Sequence, residues 1–459
     1  MKAVVESMKV AIIGCTHAGI AAMRQILKYY PGTEITVYER HATISYMSCG
    51  TYLHLGGTIK DLDQALYANP DEFSKQGVQM RMQYDVIKID ATKHTILAQN
   101  LQTKMMETDH YDKLVMATGS LTAIPAIPGV ENPKVMLCKT CEQAQQLYEA
   151  AQHAKQIAIV GGGYAGVELA EGYIKSGHAV TLYQRGPQLI DEYLDANLAN
   201  KVEALLTSHG IDVRTNAQVT GFQDTPDNRL QVTTADSETI YDMAVICPGV
   251  IPQSELLAGQ VNRTKQGAIV TDRYMGTSNS DIFAAGDVTE VKFNPTKDHA
   301  YMPLVSHAIR QGALAGINIF DKRLGSIGTQ ATTGMLIFGQ TIACTGMTLT
   351  AAKAAHFEAK TAVYEGNYRP DFMPTTAKIT IELVYDQQTR KVLGAQLMSA
   401  HEVSQSANTL SVIIHNGNTI DELAFMDMLF SPNFDEPFNY LNLAAQAAVD
   451  QEHGYRRNN

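Results

Sequence analysis

No apolar run in the 459-residue chain approaches the roughly 18 consecutive residues of a membrane span, so no transmembrane helix is expected. The opening Met1-Lys-Ala-Val-Val-Glu-Ser lacks the basic-then-apolar order of a secretory signal, which points to a cytoplasmic protein. Met8 begins the run Met-Lys-Val-Ala-Ile-Ile-Gly, so residues 1–7 read as an upstream start or added tail without a function of their own. Basic charge is also short: 36 Lys and Arg against 47 Asp and Glu leave a net charge of −11. Without a dense Lys/Arg cluster there is no electrostatic footprint for nucleic acid. Cysteine is sparse, at positions 15, 49, 138, 141, 247 and 344 only, which excludes a disulfide framework and fits a reducing compartment. None of the 14 His lies in a paired metal-ligand spacing, so no metal is implied.

What remains is the makeup of a globular protein, 45% apolar and 18% charged, long enough for two to four domains. Lys9-Val-Ala-Ile-Ile13 reads as a strand, Gly14-Cys-Thr-His-Ala-Gly19 as a tight turn, Ala18 to Tyr30 as a helix, and Glu34-Ile-Thr-Val-Tyr38 as a second strand ending at Glu39. The order recurs in Gln156 to Val160, Gly161-Gly-Gly-Tyr-Ala-Gly166, a helix to about Gly177, and Ala179 to Tyr183. Such units bind dinucleotides: glycines allow a tight turn and close backbone approach, and the helix start takes the pyrophosphate. An acidic residue about 20 positions on bonds the ribose, and Glu39 stands there. Thr16 replaces the second glycine of the first turn and brings a hydroxyl and His17 beside the phosphates.

In the second unit Gln184 stands where an NAD-selective site carries a carboxylate, and Arg185 follows. Repulsion of a 2′-phosphate is thereby removed and a cation is supplied, so NADPH is expected to serve as well as NADH. Tyr111-Asp-Lys-Leu-Val-Met-Ala-Thr-Gly119 and Tyr241-Asp-Met-Ala-Val-Ile-Cys-Pro-Gly249 read as matching strands closing the two units. Beyond about Gly325, alternating runs at 378–385 and 392–398 and a helical stretch at 403–416 indicate a separate α+β domain.

Cys49 lies between small residues ahead of a short helical stretch, Thr51 to Leu55, and is expected to be an exposed thiol of lowered pKa suited to redox work. Disulfide reductases that use flavin carry two cysteines here, and in this chain His54 holds the second position. Cys138-Lys-Thr-Cys141 has Cys-x-x-Cys spacing but no second ligand pair to complete a zinc site. Cys15, Cys247 and Cys344 read as packing residues. His17, close to the first turn, is a candidate proton donor.

Together with Ala117-Thr-Gly-Ser120, Ile282-Phe-Ala-Ala-Gly-Asp287 and Leu429-Phe-Ser-Pro-Asn-Phe434, these motifs resemble the single-cysteine branch of the pyridine nucleotide-disulfide oxidoreductase family, in particular its water-forming NADH oxidases. The resemblance implies an α/β fold of two Rossmann-like domains and a C-terminal α+β dimerisation domain. Its boundaries would be 1–121 with 250–325 for FAD, 122–249 for NAD(P)H, and 326–459 for dimerisation. It implies that FAD is held by Gly14, Thr16, His17, Ala18 and Gly19, with Glu39 and Arg40 at the ribose and Asp287 at the ribityl chain. Thr118, Gly119, Ser120 and Lys139 would touch other parts of FAD, and Cys49, Pro303, Leu304 and Val305 the flavin ring. Gly161, Gly163, Ala165, Gly166, Glu168, Gln184, Arg185, Tyr193, Gly249 and Gly334 would line the pyridine nucleotide, under Tyr164 as an aromatic gate. Phe430 and Phe434 would reach the partner's site in a homodimer. The implied activity is reduction of O2 to water by NAD(P)H through a thiol/sulfenic acid cycle at Cys49. NADH peroxidase, coenzyme A disulfide reductase and a redox-sensing binding protein are the alternatives.

Overall fold

The structure, a computed structural model, describes residues 8–454, so the N-terminal tail read above lies outside the described residues. Five parallel strands form the first sheet, in the order Ile282–Ala284, Lys113–Met116, Lys9–Ile13, Glu34–Glu39, Gln79–Met82. Their Val/Ile-rich runs are buried because both faces of a parallel sheet are covered. On one face, helix His17–Tyr29 and helix Val305–Asn318 bury Ile20, Met23, Ile26 and Ala315 against Val10, Ile12 and Val115. The two helices run close together because a Cβ at Gly312 or Gly316 would meet the main chain of Ala18 or Ala22. An antiparallel meander, Tyr84–Asp90, Thr95–Asn100 and Met106–His110, covers the other face.

The sheet draws its last strand, Ile282–Ala284, from beyond an inserted second unit. That unit repeats the plan with parallel strands Asp212–Arg214, Ala179–Tyr183, Gln156–Val160, Met243–Ile246 and Val135–Met136. It carries its own meander, Val219–Asp224, Leu230–Thr234 and Glu238–Tyr241. A two-stranded ribbon, Ser120–Thr122 against Val250–Pro252, carries the chain between the units in both directions. The mixed α/β architecture expected from the two glycine turns is therefore present.

The C-terminal sheet is antiparallel, in the order Thr333–Ile337, Gln340–Gly346, Val392–Ser399, Lys378–Asp386, Ala359–Asn367. Helices Ser404–Asn416 and Tyr440–Glu452 bury Leu410, Ala444 and Ala445 against Ile381, Leu383 and Leu397. On its surface, Phe425, Phe430, Phe434 and Phe438 are exposed, an amount of aromatic surface that a monomer has reason to cover. Among the described residues no helix is long and apolar enough to cross a membrane.

Asp195 joins the second unit to this domain. Its buried carboxylate accepts the N–H of Leu349 at 2.7 Å and the side-chain amide of Gln396 at 2.7 Å, while its own N–H donates to Gln396 Oε1 at 2.7 Å. Asp195→Ala leaves those donors unpaired in a dry interface, an expected cost of about 2–4 kcal/mol. A lower midpoint of thermal unfolding, with FAD content at the start of the scan unchanged, is the measurement that checks it.

Candidate active site

One cavity of about 1750 Å³ runs between the two glycine turns and takes walls from both Rossmann units. At the first turn, Gly14 has φ +94° and donates its N–H to Tyr38 O at 2.8 Å. A Cβ there would run into the Ala117 carbonyl, so only glycine lets the chain pass this close. Gly19 does not wall the cavity: a Cβ on it would meet the Gly14 carbonyl, and its role is to seat the helix on the strand. Thr16, His17 and Ala18 do open on the cavity, at the helix start where N–H groups lack intrahelical partners. Glu39 is buried and fixed, with Oε2 accepting the Cys15 N–H at 2.8 Å and Oε1 the His41 N–H at 2.9 Å. Each oxygen keeps a lone pair for a ribose hydroxyl. Arg40 beside it pairs with Asp85 at 3.5 Å and also lines the cavity.

A polar cluster follows. Ser120 Oγ donates to Asp287 Oδ2 at 2.7 Å and accepts from Lys139 Nζ at 2.8 Å. Burial pulls the Lys139 pKa down, and the Asp287 carboxylate at 3.9 Å counters it. Thr118 donates its hydroxyl to Gln253 O at 2.6 Å, beside Gly119 on the same wall. Pro303 and Val305 line the cavity; Leu304 does not, because it caps helix Val305–Asn318 and gives its carbonyl to His307 and Ala308.

The second turn repeats the first. Gly161 has φ +116°, donates to Tyr183 O at 2.8 Å, and has no room for a Cβ beside the Cys247 carbonyl. Gly166 presses on Gly161 as Gly19 does on Gly14. Gly163 caps helix Tyr164–Lys175, and Ala165, Gly166, Glu168 and Gly249 share the wall. Tyr164 stands edge-on to Tyr193, ring centroids 4.6 Å apart, where an aromatic pair could close over a ring. Gln184 bridges the turn by accepting the Gly162 N–H at 3.2 Å and donating to Gln188 O at 3.2 Å. Arg185 is exposed on the cavity wall. Gly334 lies outside the cavity, exposed on strand Thr333–Ile337, and Phe430 lies outside it on the C-terminal domain. Two cradles that exclude a methyl group, each under a helix start, fit the pyrophosphates of FAD and a pyridine nucleotide.

Cys49 is exposed on the cavity wall as the N-cap of helix Gly50–Leu55. The expectation of a lowered pKa needs correction: burial of the thiol raises it, and the Glu168 carboxylate raises it further. The Cys49 and Gly50 N–H groups pull the other way, but the helix is too short to compensate, and the Gly50 N–H is shared with Met47 O at 2.8 Å. Glu168 is itself pushed up to about 7, by burial first and by Glu171 second. Above that pH it is an anion that opposes the thiolate, and below it the opposition ends. Glu168→Gln should therefore speed alkylation of Cys49 by iodoacetamide about threefold or more at pH 8 and leave the rate unchanged at pH 6. Equal rates at both pH values would show that the two groups are uncoupled.

His17 lines the cavity with its Nδ1 3.0 Å from the Tyr67 hydroxyl and its ring stacked on Tyr67 at 5.6 Å. Burial lowers its pKa, with Asp287 opposing, so the imidazole is neutral near pH 7 and can offer only a neutral N–H. Tyr67 went unread in the sequence, since nothing local ties it to His17. His54 is tilted against Tyr148 at 4.3 Å and is not part of the cavity wall, so it supplies no second redox group. Cys138 pairs with Cys247, their sulfurs 3.7 Å apart, and not with Cys141.

Residues 8–312 match the pyridine nucleotide-disulphide oxidoreductase family, and residues 332–441 match the dimerisation domain of that family. The chain is 43% identical to an NADH oxidase of Enterococcus faecalis, over 96% of this chain and 100% of that one. It is 33% identical to an NADH oxidase of Lactococcus lactis, over 95% and 99%. Among solved structures, a water-forming NADH oxidase from Lactobacillus brevis bound to NADH superposes with a TM-score of 0.96 at 45% identity, covering 98% of this chain and 99% of that one. An engineered water-forming NADPH oxidase made from it, bound to NADPH, gives 0.96 at 44%, covering 97% and 99%. The doubled glycine cradle, the cavity between its halves and these matches agree: the chain belongs to the pyridine nucleotide-disulphide oxidoreductase family.

Proposed function

We propose that this chain is an FAD-dependent NAD(P)H oxidase that forms water: two NAD(P)H, one O2 and two protons give two NAD(P)+ and two H2O. The observation that carries it is a single exposed thiol, Cys49, on the wall of a cavity that holds two dinucleotide cradles. The likeness to water-forming NADH oxidases supports the same reading. FAD, when bound, would supply the passage of electrons from nicotinamide to oxygen. The first cradle, with Glu39 and the Ser120–Asp287–Lys139 cluster, would hold it, and the second cradle would hold the pyridine nucleotide. The FAD unit would span 1–121 and 250–325, the NAD(P)H unit 122–249, and a dimer would form through 326–459.

Cys49 completes the reduction. Its thiolate attacks one oxygen of hydrogen peroxide, the O–O bond breaks, and hydroxide leaves, taking up a proton as the first water, while the sulfur becomes sulfenic acid. Two electrons from a second NAD(P)H and one further proton return the thiol and release the second water. Glu168, titrating at about 7 next to this thiol, is placed to give the proton, and the neutral His17 to donate a hydrogen bond. With His54 where a second cysteine would stand, sulfenic acid is its simplest oxidised state.

The test is NADH consumed per O2 in an oxygen electrode, with and without catalase. A ratio of about two, unaffected by catalase, is expected of full reduction. No O2 uptake until hydrogen peroxide is added would overturn the oxidase reading in favour of a peroxidase.

A further inference from the structure

Strands Val135–Met136 and Met243–Ile246 lie parallel and adjacent, with Ala244 opposite Val135 and Val245 opposite Met136. Continued past the strand ends, that register sets Cys247 opposite Cys138, and the two sulfurs stand 3.7 Å apart. Both residues belong to the cavity wall, so a small oxidant in the cavity can reach them. Cys141, the Cys-x-x-Cys neighbour, also borders the cavity, but it starts helix Cys141–Ala151 and its side chain is buried among Tyr46, Leu62 and Ala65.

We propose that Cys138 and Cys247 are a peroxide-sensitive dithiol whose oxidation to a disulfide weakens pyridine-nucleotide binding at the adjoining glycine turn. Cys138 is the attacking sulfur. The hydrogen bond from Cys247 and then the Lys139 cation lower its pKa against the effect of burial, while that same bond and burial keep Cys247 protonated. The Cys138 thiolate attacks one oxygen of H2O2; the O–O bond breaks and hydroxide leaves, taking up a proton as water. Cys247 then attacks the sulfenic sulfur; an S–S bond forms, the S–O bond breaks, and a second water leaves with the Cys247 proton. Two thiols and one H2O2 have become one disulfide and two waters.

Closing the gap to about 2.05 Å moves both ends of the pair. Cys247 has little slack: its N–H donates to Val160 O at 2.7 Å, and its carbonyl already sits where a Gly161 Cβ would go. Motion there passes directly into the turn that cradles the pyridine nucleotide. On the other side, Lys139 follows Cys138 in the chain and bonds Ser120. The binding effect rests on the second turn being the NAD(P)H cradle, whereas the thiol chemistry does not.

The experiment uses the flavin-loaded enzyme in a Cys49→Ser background, which removes the exposed thiol. After treatment with hydrogen peroxide, alkylation and digestion, a peptide pair joined through Cys138 and Cys247 is expected. In the same samples the Kd for NADH should rise about tenfold, return on addition of dithiothreitol, and show no peroxide response once Cys247→Ala is added. A Cys138–Cys141 link, both thiols still alkylated after peroxide, or a formed link with unchanged Kd would each overturn the proposal. Should the oxidase reading fail, the oxygen stoichiometry of the wild type reports it separately, since the cross-linked peptide requires only the two thiols and added peroxide.

Discussion

Cys49→Ser is expected to go on oxidising NADH while hydrogen peroxide accumulates, so that NADH consumed per O2 falls from about two to about one. A serine oxygen has no accessible oxidation step equivalent to thiol and sulfenic acid, so the second half of the reduction loses its acceptor. The substitution is mild for the fold. Serine differs from cysteine by one atom, and the side chain of residue 49 makes no capping bond to helix Gly50–Leu55 that could be lost. The cradles, the Ser120–Asp287–Lys139 cluster and the Tyr164–Tyr193 pair stand on other segments and keep their geometry. Catalase in the electrode chamber should return half of the consumed oxygen in the variant and none in the wild type. A ratio that stays at about two without peroxide would remove the thiol from the reaction. The raised pKa of Cys49 adds a sign: the thiolate fraction falls as pH falls, and protonation of Glu168 at about 7 offsets only part of that loss, so peroxide leakage from the wild type should grow toward acid pH.

The parts of this molecule that could be read from its sequence are those whose cause is local. Lys9–Ile13 and Gln156–Val160 announce themselves as short runs rich in Val and Ile, and Gly14 and Gly161 follow them because only glycine fits at positive φ against a neighbouring carbonyl. Glu39 could be placed by counting from the turn. What could not be read depends on residues far apart in the chain. Cys49 looked like an activated thiol by its neighbours, but Glu168 on another helix and burial decide its proton affinity. His17 looked like an acid until Tyr67 and its enclosure were seen. The Cys-x-x-Cys spacing of Cys138 and Cys141 drew attention to the wrong pair, since a helix start turns Cys141 into the core. One signal for the right pair was present: in the matching closing strands, Cys247 takes the position held by Ala117 in the first unit, and each lends its carbonyl to a glycine turn. A thiol at that place in only one repeat is a departure that internal comparison could have flagged.

Arg185→Ala is expected to lower kcat/KM for NADPH about 10- to 100-fold, the loss of a charged contact worth roughly 1.5–3 kcal/mol. For NADH the same change should be no more than about threefold, because NADH has no 2′-phosphate to meet the guanidinium. Arg185 is exposed on the cavity wall, so its charge is available. Gln184 is spent on the Gly162 N–H and the Gln188 carbonyl, and its contribution to selectivity is the absence of a carboxylate. A second charge on this loop acts the other way. Asp191 also lines the cavity, with Oδ2 3.4 Å from where a Cβ on Gly186 would stand, close behind Arg185 in the chain. It repels a 2′-phosphate and competes for the arginine. Asp191→Asn should therefore raise kcat/KM for NADPH about three- to tenfold at low salt, with NADH nearly unmoved. Both effects should shrink as ionic strength rises, since the charges are exposed and a Debye length at 0.15 M salt is only about 8 Å. The pair of variants moves one ratio in opposite directions, which a general loss of stability cannot do. Parallel changes with both nucleotides would place the 2′-phosphate elsewhere on the cavity wall.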